Sequence, residues 1–587
     1  MSDNDDDSEF DEEEIDERDD AFADEREAFD AGPSTETTME RQDSIMGDIA
    51  QALLPPSFCD DGRVLELMVI DVMFINDEAV LFGREASGAS VALFVGGWYA
   101  YLYIEPPPGL NVMEQLSLRV EAAMYADAES KGKKLFNKSG YIESVTLVPG
   151  LKSILGYDPS PSKPLLKICV KEPRFLRPLR ECLEKCHFEE DGELVDGGRT
   201  QTFNSSVEGT LQFMVDVGMM GCHWCTVTAL GLDTAAATTC HIERHGLTVD
   251  DLVFAPDKDT VAPLRLLSFD LEAAGRRGVF PQASMDPVIQ IALHFRVAAQ
   301  TIMPVLLSLR KCDPIEGAHV MCFDDERDLL LAFRDLVLIF DCDVFSGYNI
   351  ACFDFLYLRD RAIALGCAEV LLSLSCFCFV EANFMCFSKE FERMTKLVQA
   401  RHKMFLRETV FQSVQLGKRK RVRVSIPGRV CLDMLTCIQG NQSYKLEKYT
   451  LNAVSEHFLG DKKVDLPFTQ ITPLWERDSA GRKELGVYCL KDAQLPLDLM
   501  EKLDSLTQTI EMARCAGIPF DWVLQRGIMV RNSSLLLRRA KARGFVFPLM
   551  PQQPQDAARN RFEGATVLDA SSGIHHFVGV LVRSYLF

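Results

Sequence analysis

Asp270 and Glu272 stand two residues apart at the end of the apolar run LRLLSFDLE, Leu264 to Glu272. On a strand, that spacing turns both carboxylates to one face, within reach of a shared cation. Such a pair also describes an ordinary solvated strand edge, so it needs company. Two later stretches supply it. In FSGYNIACFDFLYLRDRA, Phe345 to Ala362, a short strand leads into a helix whose first turn holds Asp354, where the helix dipole suits its charge. Asn349 adds an amide donor and acceptor at the mouth of the same crevice. In VYCLKDA, Val487 to Ala493, Tyr488 and Asp492 are four apart and share one face of a helix. A carboxylate there can complete a cation cage while the phenol orients an attacking water.

Four carboxylates, Asp270, Glu272, Asp354 and Asp492, would repel one another around one crevice unless cations sat among them. Oxygen donors of this hardness select Mg²⁺ or Mn²⁺ over zinc. Two such ions, about 4 Å apart, stabilise the attacking and the leaving oxygen of an in-line displacement at phosphorus. The chemistry expected is hydrolysis of a phosphodiester at a strand end, releasing a nucleoside monophosphate.

The rest of the chain must place these groups. At 587 residues, with 47% apolar and 25% charged residues, it has the composition of a multi-domain globular protein with sizeable cores. The net charge of −25 argues against a nucleic-acid binder, yet much of it is local. Residues 1–30 carry 17 acids against Arg18 and Arg26, the composition of a disordered acidic tail. The 19 cysteines are scattered through apolar runs, and no secretory signal precedes them, so a reduced intracellular setting is expected. No run reaches the ~18 apolar residues of a membrane span, so no membrane is expected as a partner.

Strands are expected from about Arg63, in VLELMVIDVMFI and VALFVGGWYAYLYIE, and a helix over Val112 to Lys131. Further strands are read at Ser144 to Val148, in LLKICV and in TLQFMVDVG from Thr210, with a helix over Pro173 to Cys186. The mixture suggests an α+β domain with a ferredoxin-like unit, ending near Asp259. Cys222, Cys225, Cys240 and His245 have the count of a zinc site, but Trp224 between the first two points to packing. Leu264 to Leu309 reads as three strands of an α/β layer, and Glu326 to Phe340 as a helix. Residues 411–430 read as a hairpin whose basic tip, Lys418 to Arg423, suits phosphate contacts, a nuclear address or plain solvation. Helices follow from Tyr449, with a kink expected at Pro496.

With these motifs in order, the chain resembles the catalytic subunits of B-family replicative DNA polymerases, those of the delta type above all. APLRLLSFDLEAAGRRGVFP with DPVIQIA is similar to the family's first exonuclease motif, FSGYNIACFDFLYLRDRA to the second and VYCLKDAQLPLDLMEKL to the third. GRVCLDML, YKLEKYTLNAVSEHFLG, SILGYDPSPSKPLLKI and FNSSVEGTLQFMVDVGMMGCHW carry the likeness over roughly residues 60–570. The resemblance implies a mixed α/β architecture. An acidic tail (1–58) and an α+β N-terminal domain (59–258) precede an RNase H-like 3′–5′ exonuclease domain (259–512), followed by a linker and the start of a palm (513–587). It implies metal ligation by Asp270, Glu272, Asp354 and Asp492, water positioning by Tyr488, and Asn349 and Phe353 beside the substrate. It further implies two Mg²⁺ or Mn²⁺ ions, single-stranded or frayed primer 3′ ends as substrate, a sliding clamp and accessory subunits as partners of the full-length family, and a nuclear, proofreading role.

Two departures qualify that picture. After FEGATVLDASSG the chain reads GIHHFVGVLVRSYLF and stops at Phe587, with Arg583 where the family's first polymerase aspartate is expected. Polymerase activity is therefore not expected of this chain, which reads as a fragment, truncated or misread. The Cys- and Phe-rich stretch from about Leu371 to Met394 replaces a shorter family connection. Two rival readings are a stand-alone RNase H-like nuclease and a non-catalytic DNA-binding or assembly module.

Overall fold

The structure is a computed structural model that describes residue 47 and residues 64–549, apart from 108–112, 131–139, 156–161, 190–193, 230, 232–236, 256, 299, 368–392, 399–403, 414–416, 442 and 462–465. The acidic tail, most of the 371–394 stretch and the segment after 549 lie outside the described residues.

Strands rich in β-branched and aromatic residues open the described chain: β1 (Leu65–Ile75), β2 (Glu78–Arg84), β3 (Ser90–Gly96) and β4 (Ala100–Ile104). Then come α1 (Met113–Ser130), β5 (Ile142–Ser153), β6 (Lys163–Val170), α2 (Leu176–Leu183), β7 (Cys186–Phe188), β8 (Leu194–Asp196), β9 (Thr202–Phe203) and α3 (Gly209–Asp216). Strands β10 (Trp224–Val227), β11 (Ile242–Thr248) and β12 (Leu252–Ala255) complete this part. One sheet has the order β11-β3-β2-β1-β10-β12. In the other, β5-β6-β4-β9 with α1 and α2 form the βαββαβ path of a ferredoxin-like unit, all neighbours antiparallel.

TLQFMVDVG is a correction to the sequence reading: it folds as α3, not as a strand. Leu211, Gln212, Phe213, Met214 and Val215 are all buried, and five consecutive buried residues show no 3.6-residue period of burial. Cys222 and Cys225 go to different clusters, Cys222 to the one that holds Leu264 and Phe520, Cys225 to the one that holds Leu67 and Val227.

The second half is built on β13 (Arg265–Ala273), β14 (Val288–Val297), β15 (Gln300–Leu309), β16 (His319–Phe323), α4 (Glu326–Phe340), β17 (Val344–Gly347) and α5 (Asp354–Ala364). The hairpin β18 (Phe405–Ser413) and β19 (Gly417–Ser425) leads to β20 (Val430–Asp433) and α6 (Met434–Gly440). Its basic residues lie along β19 rather than at its turn. Helices α7 (Leu451–Leu459), α8 (Phe468–Arg477), α9 (Ser479–Lys502), α10 (Ser505–Ala516), α11 (Trp522–Gln525) and α12 (Ile528–Ala542) follow, with a last strand, β21 (Phe545–Val546). The sheet order is β16-β15-β14-β13-β17-β20. Within it β15-β14-β13-β17-β20 follows the RNase H-like path, with β14 alone antiparallel to its neighbours. Helix α9 continues through Pro496.

Phe269, Phe345 and Phe355 pack edge to face under the sheet and Phe333 meets Phe269 at a tilt, with centroids 5.1–6.2 Å apart. This packing fixes α4 and α5 against β13, so the acidic end of β13 and the start of α5 meet on one rim.

Candidate active site

Alternation along β13 puts Phe269 and Leu271 into the core and turns Asp270 and Glu272 to the other face. Helix α9 covers that face, held by side chains of the sheet that bond its backbone. Ser268 Oγ donates to Ala493 O at 2.6 Å, Gln290 Nε2 to Arg482 O at 2.7 Å, and His294 Nε2 to Leu490 O at 3.0 Å. Burial pushes the His294 imidazole down to about 4, so it is neutral and donates through Nε2. Gly486 lets the helix approach, since a Cβ there would lie 2.4 Å from Leu306 Cδ2.

That docking brings Asp492 to the strand pair. Ligand oxygens of Asp270, Glu272 and Asp492 all lie within 4.8 Å of one another, the one group of three or more potential metal ligands among the described residues. Glu272 and Asp492 are buried and Asp270 partly so. Three buried or half-buried carboxylates at this separation call for positive charge between them. Their all-oxygen donor set fits a hard divalent cation.

Asp354 stands beside this trio rather than within it. The ladder between β13 and β17 ends at Ser268 and Ser346, after which β17 turns away and leaves that edge of β13 open. Asp354 Oδ1 accepts there from the Leu271 amide, between the two strand acids, at 3.2 Å. Burial pushes the Asp354 carboxyl up to about 8, against the pull of that amide. A neighbouring cation would favour its charged form.

Tyr488 is half-buried, and its hydroxyl is hydrogen-bonded to Asp492. Burial and the charges of Asp492, Glu272 and Asp270 raise its pKa far above the usual phenol, so it stays protonated and a donor. Asn349 adopts a left-handed backbone, φ 65°, in the turn between β17 and α5. Phe353 caps α5 and contacts Phe280, centroids 5.9 Å apart, and Tyr357 at 5.8 Å.

Two further residues near the site lie within quoted stretches, Asp433 in GRVCLDML and Cys489 in VYCLKDA, but were not singled out there. Asp433, at the end of β20, takes hydrogen bonds from the amides of Asn349 at 2.9 Å, Ala351 at 3.1 Å and Leu435 at 3.0 Å. It thereby pins the turn that delivers Asp354 while capping α6. An acid closing the apolar run VCLD just before a helix was its signal. Cys489 is buried with Sγ 3.5 Å from Asp270 O and 3.8 Å from Oδ2. Burial and the three carboxylates push its thiol far up, so it is a neutral donor.

The pattern described as "DNA polymerase family B, exonuclease domain" matches residues 200–454, and that described as "DNA polymerase family B" matches residues 518–583. The chain belongs to DNA polymerase family B. The exonuclease match contains Asp270, Glu272, Asn349, Phe353 and Asp354, whereas Tyr488 and Asp492 lie beyond it and join the site through the docking of α9. Among relatives, the DNA polymerase delta catalytic subunit of Oryza sativa subsp. japonica is 35% identical over 506 residues, 84% of this chain and 42% of its own length. That of Mesocricetus auratus is 34% identical over 557 residues, 92% of this chain and 46% of its own. The chain thus spans somewhat less than half the length of these relatives. The family B DNA polymerase of the archaeon Pyrobaculum calidifontis has a similar fold, with a TM-score of 0.56 at 23% identity, covering 84% of this chain and 52% of its own. Like other family B chains, this one carries an exonuclease domain of mixed α/β fold.

Proposed function

We propose that this chain hydrolyses the 3′-terminal phosphodiester of single-stranded or frayed DNA. The observation that carries the reading is the convergence of Asp270, Glu272 and Asp492 within 4.8 Å, with Asp354 tied to the amide between the first two. Asp270, Glu272, Asp354 and Asp492 would hold two Mg²⁺ or Mn²⁺ ions, which when bound lower the pKa of the attacking water and neutralise charge on the leaving 3′-oxygen. Tyr488, protonated and fixed by Asp492, orients that water. Asn349 and Phe353 flank the terminal nucleotide. The role is proofreading during DNA replication in a nucleus, in company with a sliding clamp and accessory subunits as in delta-type polymerases. The working division of the chain is an N-terminal domain over 59–258 and the nuclease over 259–512.

The test is release of mononucleotides from 3′-labelled single-stranded DNA in Mg²⁺, compared with EDTA and with Asp270→Ala/Glu272→Ala. Release that needs the metal and is lost in the double variant is expected. Release by the double variant at the wild-type rate sinks the reading. A primed template with dNTPs reads extension separately.

A further inference from the structure

Two phenylalanines beside the site are left in solvent. Phe280 is 58% exposed and Phe468 46%, yet their rings lie 6.0 Å apart and Phe280 lies 5.9 Å from Phe353. Val279, 42% exposed, extends the patch. A floppy loop would need no explanation, but this one is braced. Arg276 donates to Asp286 at 3.1 Å and to Gln282 at 2.8 Å, and Thr472 of α8 donates to Gly275 O at 2.8 Å. Tyr357 of α5 donates to Asp286 O at 2.9 Å. A ring held out on a braced loop beside another at the start of helix α8 marks a surface meant to be covered.

What covers it follows from where it sits. Phe353 immediately precedes Asp354, and Phe280 leaves β13 eight residues after Glu272, so the patch adjoins the carboxylate rim. That rim is acidic, and divalent cations among its four carboxylates would at most balance their charge, so it offers a polyanionic strand little net attraction. Affinity for the strand must therefore come largely from its uncharged, flat parts. Aromatic platforms supply it, because every base has a π-face and stacking is indifferent to sequence. Paired bases already stack and hide their faces, so the same platform favours unpaired ends.

We propose that Phe280 and Phe468, with Phe353, form a stacking platform for the unpaired bases next to the 3′ end of the strand held at the carboxylates. Phe280 and Phe468 are strand-binding residues that set KM and the preference for frayed over paired ends. The proposal rests on the hydrolytic reading for its substrate, and the experiment separates the two.

The full chain is compared with Phe280→Leu/Phe468→Leu, which keeps apolar bulk at exposed positions, and with Phe280→Tyr/Phe468→Tyr. On 3′-labelled single-stranded DNA in Mg²⁺, the leucine variant should raise KM about 10- to 100-fold with kcat unchanged, and the tyrosine variant should restore it. Equilibrium binding of the same strand in EDTA should weaken by a similar factor, whereas a strand whose 3′-terminal bases are replaced by abasic sites should bind wild type and leucine variant alike. Unchanged KM and binding in the leucine variant, or an equal loss on the abasic strand, overturns the platform while leaving hydrolysis intact. A wild type that releases no mononucleotide defeats the hydrolytic reading instead. Binding then still decides: a loss confined to the strand with bases upholds the platform, and no loss overturns it.

Discussion

Asp354 Oδ1 accepts the backbone N–H of Leu271 at 3.2 Å, so the strand carrying two acids of the site also fixes the third. The amide is available because β17 leaves the edge of β13 after Ser346. Helix α5 therefore docks through the carboxyl itself, not only through its apolar face. Asp354→Asn keeps an acceptor for Leu271 and should leave thermal stability near wild type, while mononucleotide release falls about 10²–10³-fold with the lost charge. Asp354→Ala should lose as much activity and also melt lower. Calorimetry and single-turnover release from labelled DNA read the two effects.

The Tyr488 hydroxyl is hydrogen-bonded to Asp492. Tyr488→Phe keeps the ring in its packing and removes only the donor. We expect kcat to fall about 10- to 100-fold with KM little changed, the pattern of a misplaced water rather than a lost strand contact. A rise in KM at constant kcat would assign the phenol to binding instead.

Gly347 turns β17 toward α5 with φ 155°, and a Cβ there would lie 2.3 Å from Ile350 Cγ2 and 2.8 Å from Phe269 O. Gly347→Ala should destabilise the protein by about 1–3 kcal/mol and lower activity further by displacing Asp354. Chemical denaturation alongside the release assay checks both; a variant as stable and active as wild type would show that the turn does not set the site.

Arg84 of β2 reaches across to the nuclease half, with Nη2 on Asp343 Oδ1 at 3.0 Å, and Lys396 Nζ meets the same oxygen at 2.8 Å. Burial alone would raise the Asp343 carboxyl, but the Arg84 and Lys396 charges override it and hold it well below the usual carboxylate range. Its contribution to stability is thus present above the unfolded-state pKa near ~3.9 and is lost as pH falls below it. Asp343→Asn should cost about 3 kcal/mol at pH 7, because the buried Arg84 and Lys396 lose one of their two carboxylate partners and are left with Asp341. Urea unfolding at pH 7 and in acid should show the difference shrinking in acid.

Asp71 of β1 runs the other way. Burial and the charge of Asp521 push its carboxyl up to about 7, against the amides of Gly428 and Val72. The folded state keeps a proton that the unfolded chain gives up near ~3.9, so this group's contribution to stability falls as pH rises from about 4 through 7. In Asp71→Asn that slope should vanish. Unfolding free energies across pH 4–8 measure it, and an unchanged slope would place the titration elsewhere.

The sequence by itself determined the chemistry of the parts. Period-2 spacing placed Asp270 and Glu272 on one face of β13, and a helical spacing of four paired Tyr488 with Asp492, because local backbone geometry fixes both relationships. Most of the order of elements from Leu264 onward was legible for the same reason, though not the short strands β16 and β20. Where local pattern was ambiguous it failed: TLQFMVDVG, buried over five consecutive residues, folds as a helix. Only tertiary structure decided that Asp492 meets a strand more than two hundred residues earlier, since Ser268, Gln290 and His294 achieve this by gripping the backbone of α9, which no side-chain pattern announces. The same holds for Asp354 on the Leu271 amide, for Asp433 beneath the turn and for Phe280 beside Phe468. Such contacts arise between elements far apart in the chain, and spacing along a sequence carries no record of them.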